Sequence, residues 1–293
     1  MAYFELENNK LRIRVCSVGA ELQSVYSKEL EMEYIWQPGA ETFAHHTMLL
    51  FPNPGRIAHD RIIVGGKVYP ATMHGFANDM EFRLVEHSAN KILLELAATD
   101  YTRRYFPYEF RLQVVFTLKD DVVEQNFYVI NDDRKAVYYC LGANPGFYCP
   151  IVLGESGDDY SLVFDTPQNL DREVLEAHTR LLTGNTTPAL VGETEIPLDE
   201  HFFDDGPRLY CNMNANTITL LSNRSGHFME LGVAGFENLC LWGAPGKMSV
   251  ICIEPWCGTS DRTDTDHIWE NKPGIRRIEV GETGHHKLTF RVG

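Results

Sequence analysis

Most patterned stretches of this 293-residue chain alternate apolar and polar residues with a period of two rather than 3.6. Such alternation is typical of β-strands that bury one face. Turn-type compositions such as ENN, KDD, NDD, SNRSG and GETG separate the stretches, so the chain is predicted to be a long run of hairpins. Because no βαβ rhythm interrupts it, an all-β antiparallel architecture follows, either a large sandwich or a barrel. The clearest stretches are residues 11–15, 91–97, 111–118, 122–130, 217–222 and 287–292.

Two segments depart from the hairpin rhythm. Residues 170–182 (LDREVLEAHTRLL) fit either a short helix capped by Asp171 or a strand pair, and the sequence leaves both open. Residues 187–207 are rich in proline, glycine and acids, and are predicted to form a long irregular surface loop. There is no low-complexity linker and no repeat of about 20 to 50 residues. We therefore expect residues 1–293 to form a single domain.

Composition argues against several classes of function. No run reaches the ~18 apolar residues of a membrane span, and early acidic residues are unlike a signal peptide, so a cytoplasmic protein is expected. A net charge of -15 disfavours nucleic acid and anionic membranes as partners. The seven cysteines include no C-x-x-C pair, which favours reduced thiols over a disulfide framework or zinc knuckle. A monomer and a homodimer are both compatible with the sequence.

Glu254 lies in the segment SVICIEPWCG. An apolar run at 249–253 predicts a buried strand that ends at Glu254, because Pro255 is expected to break the ladder. Burying a carboxylate without partners costs several kcal/mol, on the order given by transfer measurements. Glu254 is therefore expected either to open into a cleft or to be tied to an arginine or to backbone N–H groups.

Two loop residues and three aromatic residues are further candidates for a site. A lone histidine among turn residues, such as His74 in ATMHGFAND, is more often structural than catalytic. Arg56 ends a Pro-Gly loop, and its planar guanidinium suits paired hydroxyls or an anion. The aromatic residues offer flat faces for sugar C–H surfaces or, equally, fill the core. They are Trp242, Trp256 and Phe147, the last within a predicted rigid turn at 141–150.

Other candidates are interpreted as structural. The acidic segment 261–267 matches no calcium loop and is predicted to be solvated. Adjacent residues of a strand face opposite ways, so the pairs His45-His46 and His285-His286 do not converge on a metal. Both pairs are predicted to be structural or exposed, and no metal site is predicted.

An ordered set of motifs carries a family resemblance. The motifs PNPGRI, HGFAND, NPGFYCP, PLDEHFFDD and LWGAPGKMSVICIEPWCG follow one another along the chain. Together they resemble the aldose 1-epimerase (galactose mutarotase-like) superfamily, and within it a bacterial branch of epimerase-like proteins, over roughly residues 10–290. The resemblance implies a large antiparallel β-sandwich, the galactose mutarotase-like supersandwich, with few short helices and a sugar cleft on one face. It agrees with the hairpin prediction.

The resemblance also implies an activity. Interconverting the α and β anomers of a hexose requires a base at the C1 hydroxyl and an acid at the ring oxygen. The family pattern makes Glu254 the base and places His74 near the ring oxygen, as acid or hydrogen-bond donor. It assigns Arg56 to the sugar hydroxyls. Asn144 and Trp242 are predicted as further substrate contacts of this chain. The expected partner is a small sugar, and no cofactor or metal is implied.

Two departures from the family pattern open alternatives. Asn144 replaces a second histidine that is assigned as the acid, and an amide does not release a proton at neutral pH. Asn78 stands where many members have arginine. Either His74 takes the acid role, or the protein is a non-catalytic carbohydrate-binding or sugar-sensing protein. A third alternative is a hexose-6-phosphate 1-epimerase, which needs basic side chains near the cleft, with Arg103 and Arg104 as candidates.

Overall fold

The structure of the protein, a computed structural model, describes residues 1–39, 43–246 and 248–293. Lys247 of the GAPGKM segment thus lies outside the described residues. The described strands are β1 Tyr3–Glu7, β2 Leu11–Cys16, β3 Glu21–Ser27, β4 Met32–Glu33, β5 Thr47–Leu50, β6 Arg61–Val64, β7 Lys67–Pro70, β8 Arg83–His87, β9 Lys91–Ala97, β10 Phe110–Lys119, β11 Val122–Asn131, β12 Val137–Tyr139, β13 Leu141–Tyr148, β14 Tyr160–Leu175, β15 Leu182–Pro197, β16 Arg208–Cys211, β17 Thr217–Ser222, β18 Phe228–Gly232, β19 Asn238–Gly243, β20 Val250–Cys257, β21 Arg276–Ile278 and β22 Thr283–Val292. Short 3-10 turns occupy Ala58–Asp60, Ala77–Asp79, Thr102–Arg104, Gly157–Asp159 and Trp269–Asn271.

The strands form one large antiparallel sheet and smaller ones. The large sheet has 14 strands in the order β5-β13-β20-β19-β16-β14-β17-β18-β22-β11-β10-β9-β8, with β15 paired to β14. Strands β1 to β4 form a separate sheet, and β12-β21 and β6-β7 form two-stranded ribbons. All named strand pairs are antiparallel, which is the all-β sandwich architecture that the hairpin pattern predicts.

The alternating stretches became strands because they give each sheet one apolar face. On β10 and β11 the buried positions alternate with partly exposed ones. The buried side chains of the four-stranded sheet and of the large sheet share one hydrophobic cluster that extends from Leu6 to Val292. Within the described residues, no helix is long and apolar enough to cross a membrane.

The two irregular segments are resolved into one long hairpin. The strand-pair alternative for residues 170–182 is confirmed, because β14 continues to Leu175 and β15 begins at Leu182. The loop prediction for 187–207 is wrong over its first half, where β15 runs to Pro197. Most of this part of β15 is exposed, so its proline, glycine and acidic residues face solvent while the backbone pairs with β14. Pairing to a partner strand is a tertiary effect that overrides local composition.

Two predictions about strand ends are also wrong. Pro255 does not end its strand, since β20 continues to Cys257. Pairing between β13 and β20 is interrupted near Pro255 and Pro145, so the missing proline N–H groups are accommodated in that gap. The predicted rigid turn at 141–150 is strand β13 over most of its length. Asn144 therefore lies inside the sheet and not on a turn.

Candidate active site

All five residues selected from the sequence line one cavity of about 520 Å³. Glu254, His74, Arg56, Asn144 and Trp242 come together there from four separate regions of the chain. Volumes of this size are typical of pockets for small molecules. The remaining lining residues are Phe43, His45, Met48, Gly55, Met73, Leu175, Arg180, Pro207, Leu209, Cys240, Trp256 and Ser260.

The floor of the cavity is a row of side chains from neighbouring strands of the large sheet. Met48 on β5 pairs with Asn144 on β13. Glu254 on β20 pairs with Cys240 on β19. Cys240 also pairs with Leu209 on β16. The registered pairs on either side of the β13–β20 interruption place Asn144 opposite Glu254. Because alternate residues of a strand share a face, this row lies on the cavity side of the sheet.

Glu254 is a buried acid with an unsatisfied oxygen. Its side chain is almost fully buried, and Oε2 has no hydrogen-bond partner among the described residues. Burial raises the pKa of Glu254 to about 8, and the nearby Trp256 indole and Cys240 thiol offset only part of this rise. The carboxyl group is therefore mostly protonated at pH 7 when the cavity is empty. A group whose pKa lies near the working pH is well suited to exchange protons.

Two further polar atoms of the cavity lack partners. Oδ1 of Asn144 and Nε1 of Trp256 are buried without a hydrogen bond in the described part of the chain. Most buried polar groups of native proteins are paired, so each exception requires an explanation. Together with the Glu254 carboxyl, these atoms provide one amide, one N–H donor and one acid directed at the same space. This arrangement matches a ligand rich in hydroxyl groups.

The HGF segment holds His74 through a close crossing of two loops. Gly75 has φ +74, and a Cβ atom there would lie 2.1 Å from the carbonyl oxygen of Phe51. The Phe76 N–H donates to the same carbonyl at 2.9 Å. His74 itself has a positive φ of 66, and its N–H donates to the carbonyl of Gly55 at 3.0 Å. Only glycine permits this approach after the histidine.

The protonation state of His74 follows from its contacts. The Gly55 N–H donates to Nδ1 at 3.1 Å, so the proton of the neutral ring lies on Nε2. Burial, together with smaller effects of Arg56 and His45, lowers the pKa of His74 to about 4. His74 is consequently neutral at pH 7. It can donate a hydrogen bond through Nε2 but carries no extra proton to release.

Arg56 is positioned by the loop that follows β20. Its N–H donates to Oγ of Ser260 at 3.1 Å, and its carbonyl accepts from the N–H of Asp261 at 2.8 Å. Asp261 is in turn paired with Lys272 at 2.5 Å, and both side chains are buried. The prediction that segment 261–267 is solvated is therefore wrong at its first residue. Asp261 anchors the loop that orients Arg56.

Aromatic side chains form part of the cavity wall. Trp242 lies 5.8 Å from Phe43 between ring centroids, and Trp256 contacts His74 edge to face at 5.9 Å. Trp242 is partly exposed and so offers a flat apolar face to a ligand. Phe147 is fully buried against Phe290. It therefore fills the core, as one of the two alternatives for the aromatic residues predicted, and does not offer its face to a sugar.

Two basic residues of the cavity, His45 and Arg180, were not selected as site residues from the sequence. Of the adjacent histidines, His45 lines the cavity and His46 does not, although both lie beside the carboxylate of Glu21. His45 lies two residues before β5 begins, so the period-two pattern of the strand gives no indication of where its side chain lies. Arg180 lies in the turn between β14 and β15, in the segment whose secondary structure the sequence left open.

Other candidates lie elsewhere. The structure does not bring Arg103 or Arg104 to the cavity, and Arg103 hydrogen-bonds Glu109 and Asp100, both at 2.8 Å. Asn78 is likewise absent from the cavity lining. His286 is partly buried, with Nε2 2.9 Å from the Tyr139 hydroxyl. In the described ranges, no three His, Cys, Asp or Glu side chains are arranged to hold a metal ion.

Comparison with known proteins identifies the family. The profile of the aldose 1-epimerase family matches residues 3–265. The chain is 30% identical over 281 residues to Protein LacX, plasmid, of Lactococcus lactis subsp. lactis, a match that covers 94% of each chain. An antiparallel β protein with this cavity, matched over most of its length, thus belongs to the aldose 1-epimerase family.

Solved structures agree with this assignment. A galactose mutarotase related enzyme from Lactobacillus acidophilus superposes with a TM-score of 0.93 at 27% identity, covering 100% of this chain and 97% of the other. A galactose mutarotase-like protein from Lactobacillus casei ATCC 334 superposes with a TM-score of 0.91 at 28% identity, covering 100% of both chains. The galactose mutarotase-like fold that the motifs imply is therefore confirmed.

Proposed function

We propose that the protein interconverts the α and β anomers of an aldose by acid–base ring opening in the cavity around Glu254. The observation that carries this proposal is the convergence of three buried, unpartnered polar groups, those of Glu254, Asn144 and Trp256, on one cavity. A hexose supplies the donors and acceptors that these groups lack, and it presents apolar C–H faces to Trp242. Family membership supports the same reaction class.

Each polar residue has a role that fits its environment. Glu254 acts as the base at the C1 hydroxyl, because a carboxyl with a pKa of about 8 accepts a proton more readily than an ordinary one. Hydrogen bonds from the sugar hydroxyls favour the ionised form when substrate is bound. Neutral His74 donates its Nε2–H to the ring oxygen, and Asn144 hydrogen-bonds the sugar next to Glu254.

The test is polarimetric. Freshly dissolved α-glucose and α-galactose should relax to equilibrium faster with wild-type protein, and Glu254→Gln should remove the acceleration by about 100-fold or more, the usual contribution of a general base. Glu95→Gln is the matched control, because Glu95 is also buried on the large sheet but does not line the cavity. A Glu254→Gln variant as active as wild type would refute the role of this residue.

A non-catalytic sugar-binding protein is the rival that Asn144 favours, because the amide cannot supply the proton of the family's second histidine. Calorimetric titration with the same sugars separates the two functions. Binding without any acceleration of mutarotation by the wild-type protein would select the binding function. Acceleration that depends on Glu254 would exclude it.

A hexose 6-phosphate is the second candidate substrate, and Arg180 favours it. Arg56 and Arg180 line the same cavity, and neither makes an ion pair with an acid of the described chain. Paired guanidinium groups are well suited to phosphate. If phosphate is recognised, Arg180→Gln raises KM for glucose 6-phosphate and leaves KM for glucose unchanged. Arg134→Gln, at another exposed arginine, is the control, and equal effects on both sugars would exclude this substrate.

A further inference from the structure

The cavity contains a second imidazole in addition to His74. His45 lines it, and its side chain is 39% exposed. A positive charge on His45 lowers the pKa of His74, after the larger effects of burial and of Arg56, which means that the two rings lie close enough to interact across the cavity. Because part of its side chain is exposed and lines the cavity, the His45 imidazole is accessible to a ligand.

A mostly buried carboxylate, that of Glu21, lies beside His45. Oε1 of Glu21 lies 3.8 Å from Nδ1 of His45, and its other oxygen lies 3.4 Å from Nδ1 of His46. The Glu21 side chain is only 13% exposed. Burial raises its pKa, but hydrogen bonds from His46 and Gln23 outweigh that effect and lower the pKa overall. Glu21 is therefore ionised at neutral pH and places a negative charge beside both imidazoles.

The reaction assigned to the cavity lacks an acid. Ring opening requires a proton at the ring oxygen, and a charged donor delivers one more readily than an amide. Asn144 has no proton to release, and His74 is neutral at pH 7 because it is buried. An imidazole supported by a carboxylate is the usual protein solution to this requirement.

We propose that His45, supported by Glu21, is the general acid that protonates the ring oxygen. This inference rests on the proposed function of the cavity. Glu254 takes the proton of the C1 hydroxyl, and the O–H electron pair forms the C1=O bond. The bond from C1 to the ring oxygen breaks, and the oxygen takes the proton of the His45 imidazolium. The products are the open-chain aldehyde, protonated Glu254 and neutral His45. Rotation about C1–C2 and reversal of the steps give the other anomer, with no other reactant.

Titratable and charged groups surround His45 on two sides. Glu21 and His46 lie behind it, while Arg56, His74 and Glu254 face the cavity. In the active form Glu254 is ionised and His45 is protonated, so the two groups together carry one proton. The pKa of Glu254 is about 8, so this pair loses its proton above about pH 8 and the wild-type rate falls. Without His45 only the Glu254 carboxylate is needed, so the residual rate of a His45 variant rises through about pH 8. The two profiles have opposite slopes.

The experiment compares the mutarotation rates of His45→Gln and His46→Gln with wild type between pH 5 and pH 8.5. His46 contacts the same carboxylate but lies outside the cavity, so its variant serves as the matched control. We expect His45→Gln to lose about 100-fold or more in kcat with little change in sugar affinity, and to reverse the slope near pH 8. Adding Asn144→His to His45→Gln should restore much of the rate, because it returns an imidazole to the cavity floor. His45→Asn repeats the test with a shorter amide if the glutamine variant folds poorly.

The failures of the two proposals are distinguishable. If His45→Gln matches wild type in rate and pH profile while Glu254→Gln is inactive, the acid role of His45 is overturned and the epimerase function stands. If the wild-type protein accelerates neither the free sugars nor glucose 6-phosphate, the proposed function fails and the inference fails with it. A rate loss in His46→Gln equal to that in His45→Gln would assign the effect to Glu21 alone and overturn the acid role.

Discussion

The buried carboxyl group of Glu254 should make the stability of the protein depend on pH in an unusual direction. Burial raises its pKa in the folded state to about 8, whereas the ordinary value of 4.5 applies when the chain is unfolded. Between pH 4.5 and about pH 8, Glu254 keeps its proton in the folded state and releases it in the unfolded state. Stability contributed by this group is therefore fully present below pH 4.5 and is lost as the pH rises towards 8. Glu254→Gln removes the titration and keeps the shape of the protonated acid.

The magnitude follows from the difference in pKa. Each pH unit above 4.5 costs the folded state about 1.4 kcal/mol until the pH approaches 8. At pH 7 the wild-type protein therefore loses about 3 kcal/mol through this group, and between pH 5 and pH 7 it loses about 2 to 3 kcal/mol relative to Glu254→Gln. The variant should be the more stable protein at neutral pH, although it is the inactive one. Active sites commonly lower the stability of the folded protein in this way while providing activity.

Urea unfolding of both proteins at half-unit steps from pH 5 to pH 8 measures this difference. Glu95→Gln is the control, because the pKa of Glu95 is shifted in the opposite direction from that of Glu254. Hydrogen bonds from Gln113 and Arg83 outweigh burial and lower it. Its stability difference from wild type should stay constant over this range. If the curves of wild type and Glu254→Gln run parallel with pH, the raised pKa of Glu254 is refuted, and with it the argument that this acid is poised for proton transfer.

Two substitutions test the scaffold that orients the loops. Gly75→Ala should destabilise the protein by at least about 2 kcal/mol more than Gly66→Ala, and it should also slow turnover. Both glycines have φ near +75°, but only at Gly75 would an added Cβ clash with the Phe51 carbonyl. Equal losses in urea unfolding would contradict the close crossing of the loops. Lys272→Met should cost about 3 to 5 kcal/mol, because it leaves the buried Asp261 carboxylate unpaired. A loss below about 1 kcal/mol in the same assay would contradict a buried ion pair.

The sequence by itself determined the strands and the chemistry of the central residues. Alternation with period two predicted strands that include β9 to β11, β17 and β22, because that pattern reflects one buried and one exposed face and is written locally in the chain. The motifs around Glu254, His74 and Arg56 likewise predicted residues that meet in one cavity. Local composition failed where pairing overrides it, in the exposed half of β15 and at Pro255 within β20.

Only the tertiary structure decided which side chains face one another. Asn144 stands opposite Glu254 because of the register between β13 and β20, and His45 enters the cavity while His46 does not. Arg180 reaches the same cavity from the distant β14–β15 turn. Register is set by the mutual burial of whole strands that lie far apart in the chain, and a shift of one residue would send each side chain to the opposite face. No local pattern encodes that choice, because the interactions that fix it are long-range.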